Sequence, residues 1–201
     1  MGAIHPMLRT TKHLMTETDA QKLGESDAEV SFVGRSNAGK SSLINALCLK
    51  TKMAYVSPVP GKTRTINVYE VRPYRWIVDL PGYGYAVGSK SDKEQLGPMI
   101  EAYLKSRVTL GMIFVVVDAV AGPTKLDMLM IGWLAHHAFP FSIIVNKIDK
   151  VKSAELEVKK KKIASRIGKD VGDIFWVSSK KDIGIKGLQE RIAGLLGVSQ
   201  R

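Results

Sequence analysis

The segment Gly34–Ser41, GRSNAGKS, matches the phosphate-binding pattern G-x-x-x-x-G-K-[ST] at each fixed position. It follows the apolar run EVSFV and opens the helix-like stretch KSSLINALCL, which is the strand–loop–helix context this pattern requires. The two glycines let successive backbone N–H groups converge on phosphate oxygens, at the positive end of the following helix. The lysine adds a charge for the β- and γ-phosphates, and the serine hydroxyl can ligate Mg²⁺. The predicted loop consists of Gly34, Arg35, Ser36, Asn37, Ala38, Gly39, Lys40 and Ser41.

A second candidate element, Asp79-Leu80-Pro81-Gly82, directly follows the apolar residues WIV. A carboxylate at a strand end can hold a water on Mg²⁺, and the Gly82 N–H can reach a γ-phosphate. A D-x-x-G sequence is by itself weak evidence. Its position about forty residues after a phosphate loop, with a glycine-rich stretch beyond it, makes it strong evidence for a nucleotide-sensing loop.

The third element, Asn146-Lys147-Ile148-Asp149, ends the apolar run FSIIV and decides which base is bound. A carboxylate can accept hydrogen bonds from the N1–H and the exocyclic amine of guanine, whereas adenine would leave it unpaired. We expect Asn146 to brace the loop and the stem of Lys147 to lie over the base. By position alone, the backbone of Val177, Ser178 and Ser179 completes the pocket. An ATPase or small-molecule kinase is disfavoured by this element.

Short apolar runs alternate with helix-like stretches, and several runs are apolar at nearly every position, as in parallel strands buried on both faces. The sequence therefore predicts an α/β fold: a three-layer sandwich with a mostly parallel six-stranded sheet and helices on both faces. The predicted strands are Glu29–Val33, Ile66–Val71, Arg75–Val78, Met112–Val117, Phe141–Val145 and Asp173–Val177, and the second and third form an antiparallel hairpin. The predicted helices lie near 40–49, 92–107, 124–138, 153–168 and 185–196.

The composition bounds the class of protein. The chain has 201 residues, of which 45% are hydrophobic, so one domain with a proper core is expected. Its single cysteine excludes an internal disulfide, and no run is long and apolar enough for a membrane span, so we expect a cytoplasmic protein. Residues 1–27 are polar and are predicted to form a flexible extension, with residues 28–201 as the nucleotide-binding domain.

The order of GRSNAGKS, DLPG, NKID and VSS is that of translation-factor-type GTPases. With Asn37 in the loop, the segment Pro60–Thr65 (PGKTRT) and above all DLPGYGYA at Asp79–Ala86, the chain resembles the EngB (YihA or YsxC) family. These are single-domain bacterial GTPases of the TrmE-Era-EngA-EngB-septin-like superfamily, implicated in assembly of the large ribosomal subunit. The resemblance covers roughly residues 25–197 and implies a Ras-like P-loop fold that binds GTP or GDP with Mg²⁺.

The resemblance also implies roles for the first switch, which would close over the γ-phosphate. Its residues are Gly61, Lys62, Thr63, Arg64 and Thr65. Thr63 is the implied second Mg²⁺ ligand beside Ser41, with Thr65 as a competitor that the sequence does not fully separate from it. Together with Lys40 and Gly82, Thr63 forms the predicted catalytic set.

Tyr83 follows Gly82 where Ras-like enzymes carry a glutamine that orients the attacking water. A phenol cannot do that through an amide, so we expect slow intrinsic hydrolysis, stimulated by a partner or a cation. In related GTPases an asparagine at the position of Asn37 helps to hold a K⁺ ion. The resemblance therefore implies K⁺ as a possible activator.

The formal net charge is +11, and residues 150–201 carry 13 basic and 6 acidic side chains. Such a surface suits polyanions, although a solvated helix face is the usual fate of a lysine run. With the resemblance, contact of a monomer with rRNA of large-subunit particles is the preferred interpretation. The alternative is a GTP-dependent regulator of cell division (septation) or signalling without an RNA target. The basic cluster contains Lys150, Lys152, Lys159, Lys160, Lys161, Lys162, Arg166, Lys169, Lys180, Lys181, Lys186 and Arg191.

Overall fold

The computed structural model describes residues 6–50, 53–54, 65–83 and 90–198, with only the backbone course for 6–7 and 90–96. The strands of this part are β1 (Lys12–Glu17), β2 (Ala28–Gly34), β3 (Ile66–Arg72), β4 (Arg75–Asp79), β5 (Leu110–Asp118), β6 (Phe141–Asn146) and β7 (Ile174–Trp176). The helices are α1 (Lys40–Cys48), α2 (Lys90–Ser106), α3 (Lys125–His136), α4 (Ser153–Ile167) and α5 (Ile185–Leu195). Short 3₁₀ turns lie at Pro6–Thr10, Ala20–Leu23, Ile148–Lys150 and Val171–Asp173.

The strands form one sheet in the order β1-β3-β4-β2-β5-β6-β7. Strands β4, β2, β5, β6 and β7 run parallel, whereas β3 pairs antiparallel with both β4 and β1. The α/β fold class and the antiparallel hairpin are thus confirmed. The predicted strand number of six is wrong, because β1 adds a seventh strand beside β3.

The N-terminal segment packs on the sheet, which corrects the prediction of a flexible extension for its described residues. Leu8 and Leu23 are fully buried, and the Thr10 hydroxyl donates a hydrogen bond to the Val71 carbonyl at 3.1 Å. Strand β1 itself buries little, since its side chains are exposed or half-buried. The cause of its order is therefore backbone pairing with β3 and the two leucine anchors that flank it.

Alternate side chains of the central strands enter two separate cores, as the period of a strand requires. Val30 and Phe32 of β2 pack with α1 and α5 on one face, whereas Val33 belongs to the core of the other face, under α2, α3 and α4. The parallel strands are consequently covered on both sides, which explains their nearly continuous apolar runs.

The carboxyl ends of β2, β4, β5 and β6 meet at one edge of the sheet, because these strands run in the same direction. Pairing of Phe32 with Asp79 and of Asp118 with Asn146 places the loops after four strands side by side. In open α/β sheets this edge is where ligands bind. No helix of the described residues is long and apolar enough to cross a membrane.

Candidate nucleotide site

The loop between β2 and α1 has the backbone geometry of an anion cradle. Gly39 has φ 91° and Asn37 has φ 67°, so both lie in the left-handed region that lets N–H groups converge. A Cβ on Gly39 would come within 2.6 Å of Asn146 Nδ2, and one on Gly34 within 2.7 Å of the Val116 carbonyl oxygen. Both glycines are therefore required by close packing, and Gly39 also by the turn.

Lys40, Ser41 and Asp79 lie together at the start of α1. The Lys40 ammonium forms a buried ion pair with Asp79 Oδ1, and the Ser41 hydroxyl lies 3.4 Å from Asp79 Oδ2. Lys40 is only 7% exposed. A lysine at the N-terminus of α1, where the helix dipole is positive, suits phosphate, and the hydroxyl and carboxylate oxygens suit a hard cation.

The residues after Asp79 run against the phosphate loop. The Ser36 N–H donates to the Tyr83 carbonyl at 3.0 Å, and the Tyr83 N–H donates to the Gly34 carbonyl at 3.2 Å. A Cβ on Gly82 would lie 2.9 Å from Ser36 Oγ, so the close approach needs a glycine. Leu80 and Pro81, which precede it, are buried.

The side chain of Tyr83 points to α3. Its hydroxyl donates a hydrogen bond to Asp127 Oδ1 at 2.8 Å, while Asp127 Oδ2 accepts from the Thr124 N–H and hydroxyl in the capping box of α3. Burial and the adjacent Asp127 carboxylate raise the pKa of Tyr83 far above its ordinary value. The phenol is neutral and occupied as a donor, so Tyr83 is a structural tie here. Sequence reasoning missed Asp127, whose only signal is its place in the capping box.

Asn146 connects the base loop to the phosphate loop and is fully buried. Its Oδ1 accepts from the N–H groups of Lys147 at 2.8 Å and Ser179 at 3.2 Å, and its Nδ2 donates to the Gly39 carbonyl at 3.3 Å. One amide thereby joins three segments that the sequence analysis placed at the same site. This arrangement agrees with the bracing role expected of Asn146.

Lys147 is held by a partner that the sequence analysis did not name. Its ammonium contacts Asp118 Oδ2 at 2.6 Å and the Asn37 carbonyl. Burial acts to raise the pKa of Asp118, but the bonds from Lys147 and the Val120 N–H outweigh it and hold that pKa below its ordinary value. The position of Asp118 at the end of an apolar strand could have indicated that it belongs to the site. In the structure it lies at the end of β5, in register with Asn146 at the end of β6.

The carboxylate predicted to select guanine faces a cavity of about 360 Å³. Asp149 Oδ1 accepts from the Ser178 hydroxyl at 2.5 Å, and the Val177 carbonyl accepts from the Ile148 N–H at 3.2 Å. These bonds fix the carboxylate against the loop after β7. The residues that line the cavity are Gly39, Ser42, Lys147, Asp149, Lys150, Ser179 and Lys180.

Part of the predicted site lies outside the described residues. Gly61, Lys62, Thr63 and Arg64 are not described, and only Thr65, half-buried directly before β3, represents the first switch. Assignment of the second Mg²⁺ ligand to Thr63 or Thr65 therefore stays a prediction. In the described part of the chain no three His, Cys, Asp or Glu side chains cluster as a metal site.

Comparison with known proteins agrees with this geometry. A family model described as a 50S ribosome-binding GTPase matches residues 29–147. A probable GTP-binding protein EngB from Thermotoga sp. (strain RQ2) is 45% identical to the chain, over 84% of the chain and 86% of that relative. A probable GTP-binding protein EngB from Desulfosudis oleivorans is 33% identical, over 96% of the chain and 98% of that relative. The chain belongs to the EngB family of GTP-binding proteins.

A solved structure of a probable GTP-binding protein EngB superimposes on the chain with a TM-score of 0.69 at 26% identity. The superimposed region covers 85% of this chain and 99% of the solved chain. The EngB resemblance and the Ras-like P-loop GTPase fold are thus confirmed, and the chain is a GTPase that binds guanine nucleotide. The roles of the individual site residues, Mg²⁺ and K⁺ stay predictions.

Proposed function

We propose that this GTPase is a molecular switch in assembly of the large ribosomal subunit, acting in the cytoplasm as a monomer that contacts rRNA. The observation that carries the proposal is the basic surface of α4 and the neighbouring loops. The description of the matching family model as a 50S ribosome-binding GTPase supports it. The alternative, a regulator of cell division or signalling, requires no such surface.

The lysines of α4 differ in how far they are free to meet a polyanion. The Lys159 ammonium donates to the Val120 carbonyl at 2.9 Å, and Lys160 pairs with Glu157 at 2.7 Å beside the Trp176 ring. Both are half-buried. These two side chains are held by the protein's own groups, so they are poor candidates for phosphate contact.

Three exposed cations on α4 form the core of the proposed RNA surface. Lys161, Lys162 and Arg166 are exposed, and in the described part of the chain none has an ion-pair partner. Lys162 and Arg166 are four residues apart and so share one face of the helix. When such cations contact RNA phosphates, they displace the counterions condensed on the RNA. This release favours binding and makes it sensitive to salt.

The basic surface extends to the rim of the nucleotide cavity. Lys150 and Lys180 line that cavity while their side chains are exposed. RNA that extends from α4 to Lys150 and Lys180 would lie close to the bound nucleotide. This proximity supports a coupling between nucleotide state and ribosomal contact.

The same corner that suits phosphate also fits Mg²⁺. Ser41 and the first-switch threonine, Thr63, would hold the ion, with Asp79 acting through a water, since Mg²⁺ commonly keeps waters and few protein ligands. Bound there, it would neutralise charge on the phosphate oxygens. Lys40 would bind the β- and γ-phosphates, and the Gly82 N–H would donate to the γ-phosphate. GTP would thus hold the segments Lys50–Thr65 and Gly82–Ser91 in place, and hydrolysis would release them.

Co-sedimentation with large-subunit precursor particles tests the ribosomal proposal. We expect more protein to sediment with GTP than with GDP, and binding to fall steeply with salt. Charge reversal of Lys161, Lys162 and Arg166 should weaken binding, whereas reversal of Lys152 and Lys186, which lie near Glu155 and Glu190, should weaken it less. Binding that is absent in both nucleotide states would support the alternative.

A further inference from the structure

The two carboxylate oxygens of Asp118 bind different parts of the protein. Its Oδ1 accepts from the Val120 N–H at 2.8 Å and the Ala121 N–H at 3.3 Å, which fixes the turn after β5. Its Oδ2 accepts from the Lys147 ammonium at 2.6 Å. The side chain of Asp118 is 13% exposed and that of Lys147 is 23% exposed. Because this ion pair is largely shielded from water, it is less weakened by solvent than a pair on the open surface.

The ion pair fixes the direction of the Lys147 side chain. The Asn37 carbonyl of the phosphate loop also accepts from the Lys147 ammonium, so that its charge is satisfied by the protein's own oxygens. The stem passes beside the same loop, since a Cβ on Gly39 would lie 3.3 Å from Cε of Lys147. Gly39 and Lys147 both line the cavity of about 360 Å³. The lysine stem therefore borders the cavity while its ammonium is bound by Asp118 and Asn37.

Asp149, the carboxylate predicted to recognise guanine, lines the same cavity. Its Oδ1 accepts from the Ser178 hydroxyl at 2.5 Å. Among the contacts of the described residues, its Oδ2 has no hydrogen-bond donor. An ammonium that lines the same cavity would be attracted to this oxygen if nothing else held it. The Lys147 ammonium would then compete with the base for the carboxylate.

We propose that Asp118 is a positioning residue for guanine recognition: it binds the Lys147 ammonium and thereby leaves the Asp149 carboxylate free for the base. The inference rests on the prediction that the cavity beside Asp149 receives guanine. A released ammonium would pair with Asp149, and the carboxylate would have to give up that partner before it could accept from the N1–H and the exocyclic amine of guanine. Asp118 thus acts on base selectivity through Lys147.

The decisive variant is Asp118→Asn. Its amide oxygen can still accept from the Val120 N–H and keep the turn, but its amide nitrogen would face the Lys147 ammonium, a donor against a donor. We expect the affinity for GDP to fall roughly tenfold, and that for inosine diphosphate, which lacks the exocyclic amine, only about threefold. The ratio of the two affinities should therefore fall about threefold in parallel titrations. An unchanged ratio would overturn the proposal, even if both affinities fall.

A second substitution separates this role from a loss of structure. Lys147→Met keeps an unbranched apolar stem and removes the ammonium that would compete for Asp149. In this background Asp118→Asn should not lower the ratio of GDP to inosine diphosphate affinity further, and the double variant should have a higher ratio than Asp118→Asn alone. A ratio that stays low in the double variant would show that Asp118 does not act through Lys147, which contradicts the proposal.

Lys150→Met is the matched control for the removal of a positive charge. Lys150 also lines the cavity, but its side chain is exposed and, within the described residues, it has no contact with Asp118. Added to Asp118→Asn, this substitution should not restore the ratio of GDP to inosine diphosphate affinity. Equal recovery with Lys150→Met and Lys147→Met would reduce the effect to the net charge of the cavity and overturn the specific role of Asp118.

Glu29→Gln controls for the loss of a buried ion pair alone. Glu29 is 1% exposed and pairs with Arg107 near the amino end of β2, whereas the cavity lies beyond the carboxyl ends of the strands. The variant should lower the melting temperature without changing the ratio of GDP to inosine diphosphate affinity. An equal fall of that ratio in Glu29→Gln and Asp118→Asn would make Asp118 a purely structural residue.

Asp149→Asn distinguishes a failure of this inference from a failure of the base assignment. If Asp149→Asn lowers the ratio of GDP to inosine diphosphate affinity and Asp118→Asn does not, only the role of Asp118 is wrong. If neither variant changes the ratio, the base is not recognised in this cavity, and the assignment of Asp149 and the role of Asp118 are both wrong.

Discussion

The hydroxyl of Tyr83 donates to Asp127 Oδ1 at 2.8 Å, so the residue after Gly82 is tied to the first turn of α3. At the same time the Tyr83 backbone is bonded to Gly34 and Ser36 of the phosphate loop. Tyr83 occupies the position at which Ras-like enzymes carry the glutamine that orients the attacking water. Here this residue links the phosphate loop to α3. Tyr83 therefore contributes to the packing of the phosphate loop against α3 rather than to proton transfer.

Tyr83→Phe tests this assignment. Removing the hydroxyl leaves Asp127 Oδ1 without its donor, so the free energy of unfolding should fall by about 1–2 kcal/mol. GTP turnover should change less than about threefold, because no proton passes through the phenol. Tyr103→Phe is the matched control, since the Tyr103 hydroxyl donates to buried Glu29 Oε2 at 2.6 Å, away from the nucleotide. A loss of turnover greater than about tenfold in Tyr83→Phe alone would give the hydroxyl a direct part in hydrolysis.

The same bond predicts how stability depends on pH. Burial and Asp127 raise the pKa of Tyr83 in the folded state above the value of about 10 that it has when unfolded. The stabilisation is therefore complete below about pH 10 and is lost as pH rises above it. Denaturant unfolding of wild type and Tyr83→Phe between pH 8 and about pH 11 checks this, and the difference between them should shrink at the alkaline end. A difference that grows with pH contradicts the assignment.

Local motifs of this protein were predictable, and contacts between distant segments were not. The conformations of the phosphate loop and the base loop depend on residues that are adjacent in sequence. Gly39 permits the left-handed turn of the first loop, and the side chain of Asn146 accepts the N–H of the next residue in the second. Strand β1 has no alternation of apolar and polar residues and owes its order to pairing with β3. Residues 12–17 alone therefore gave no basis for predicting a strand. The Asp118–Lys147 pair likewise depends on the register of β5 with β6.

Asp149→Asn should change which base is bound. The carboxylate accepts from the N1–H and exocyclic amine of guanine, whereas an amide presents a donor to one of them. We expect GTP affinity to fall roughly 100-fold, and affinity for a xanthine nucleotide, which carries a carbonyl in place of the amine, to rise. Titration with both nucleotides measures the ratio, with exposed Asp182→Asn as the control. Unchanged preference for guanine would remove Asp149 from base recognition.

Separate alanine variants of Thr63 and Thr65 should show which one ligates Mg²⁺. Loss of the ligating hydroxyl should raise the Mg²⁺ concentration needed for half-maximal turnover roughly tenfold and should spare GDP binding. The other variant should change this concentration little. Titrating Mg²⁺ against turnover at saturating GTP gives the answer. We expect Thr63 to be the ligand. If only Thr65→Ala raises the required Mg²⁺ concentration, the ligand is Thr65 instead.

Asn37 gives the prediction about how hydrolysis is activated. Tyr83 is engaged with Asp127 and no glutamine follows Gly82, so charge developing on the phosphates needs another source of stabilisation. Asn37 has φ 67° in the phosphate loop, and its carbonyl accepts from Lys147, so its backbone is fixed within that loop. We expect turnover in K⁺ to exceed that in Na⁺ by about tenfold or more, and Asn37→Ala to abolish the difference while GDP affinity is kept. Equal turnover in the two salts, with no effect of Asn37→Ala, would exclude cation activation.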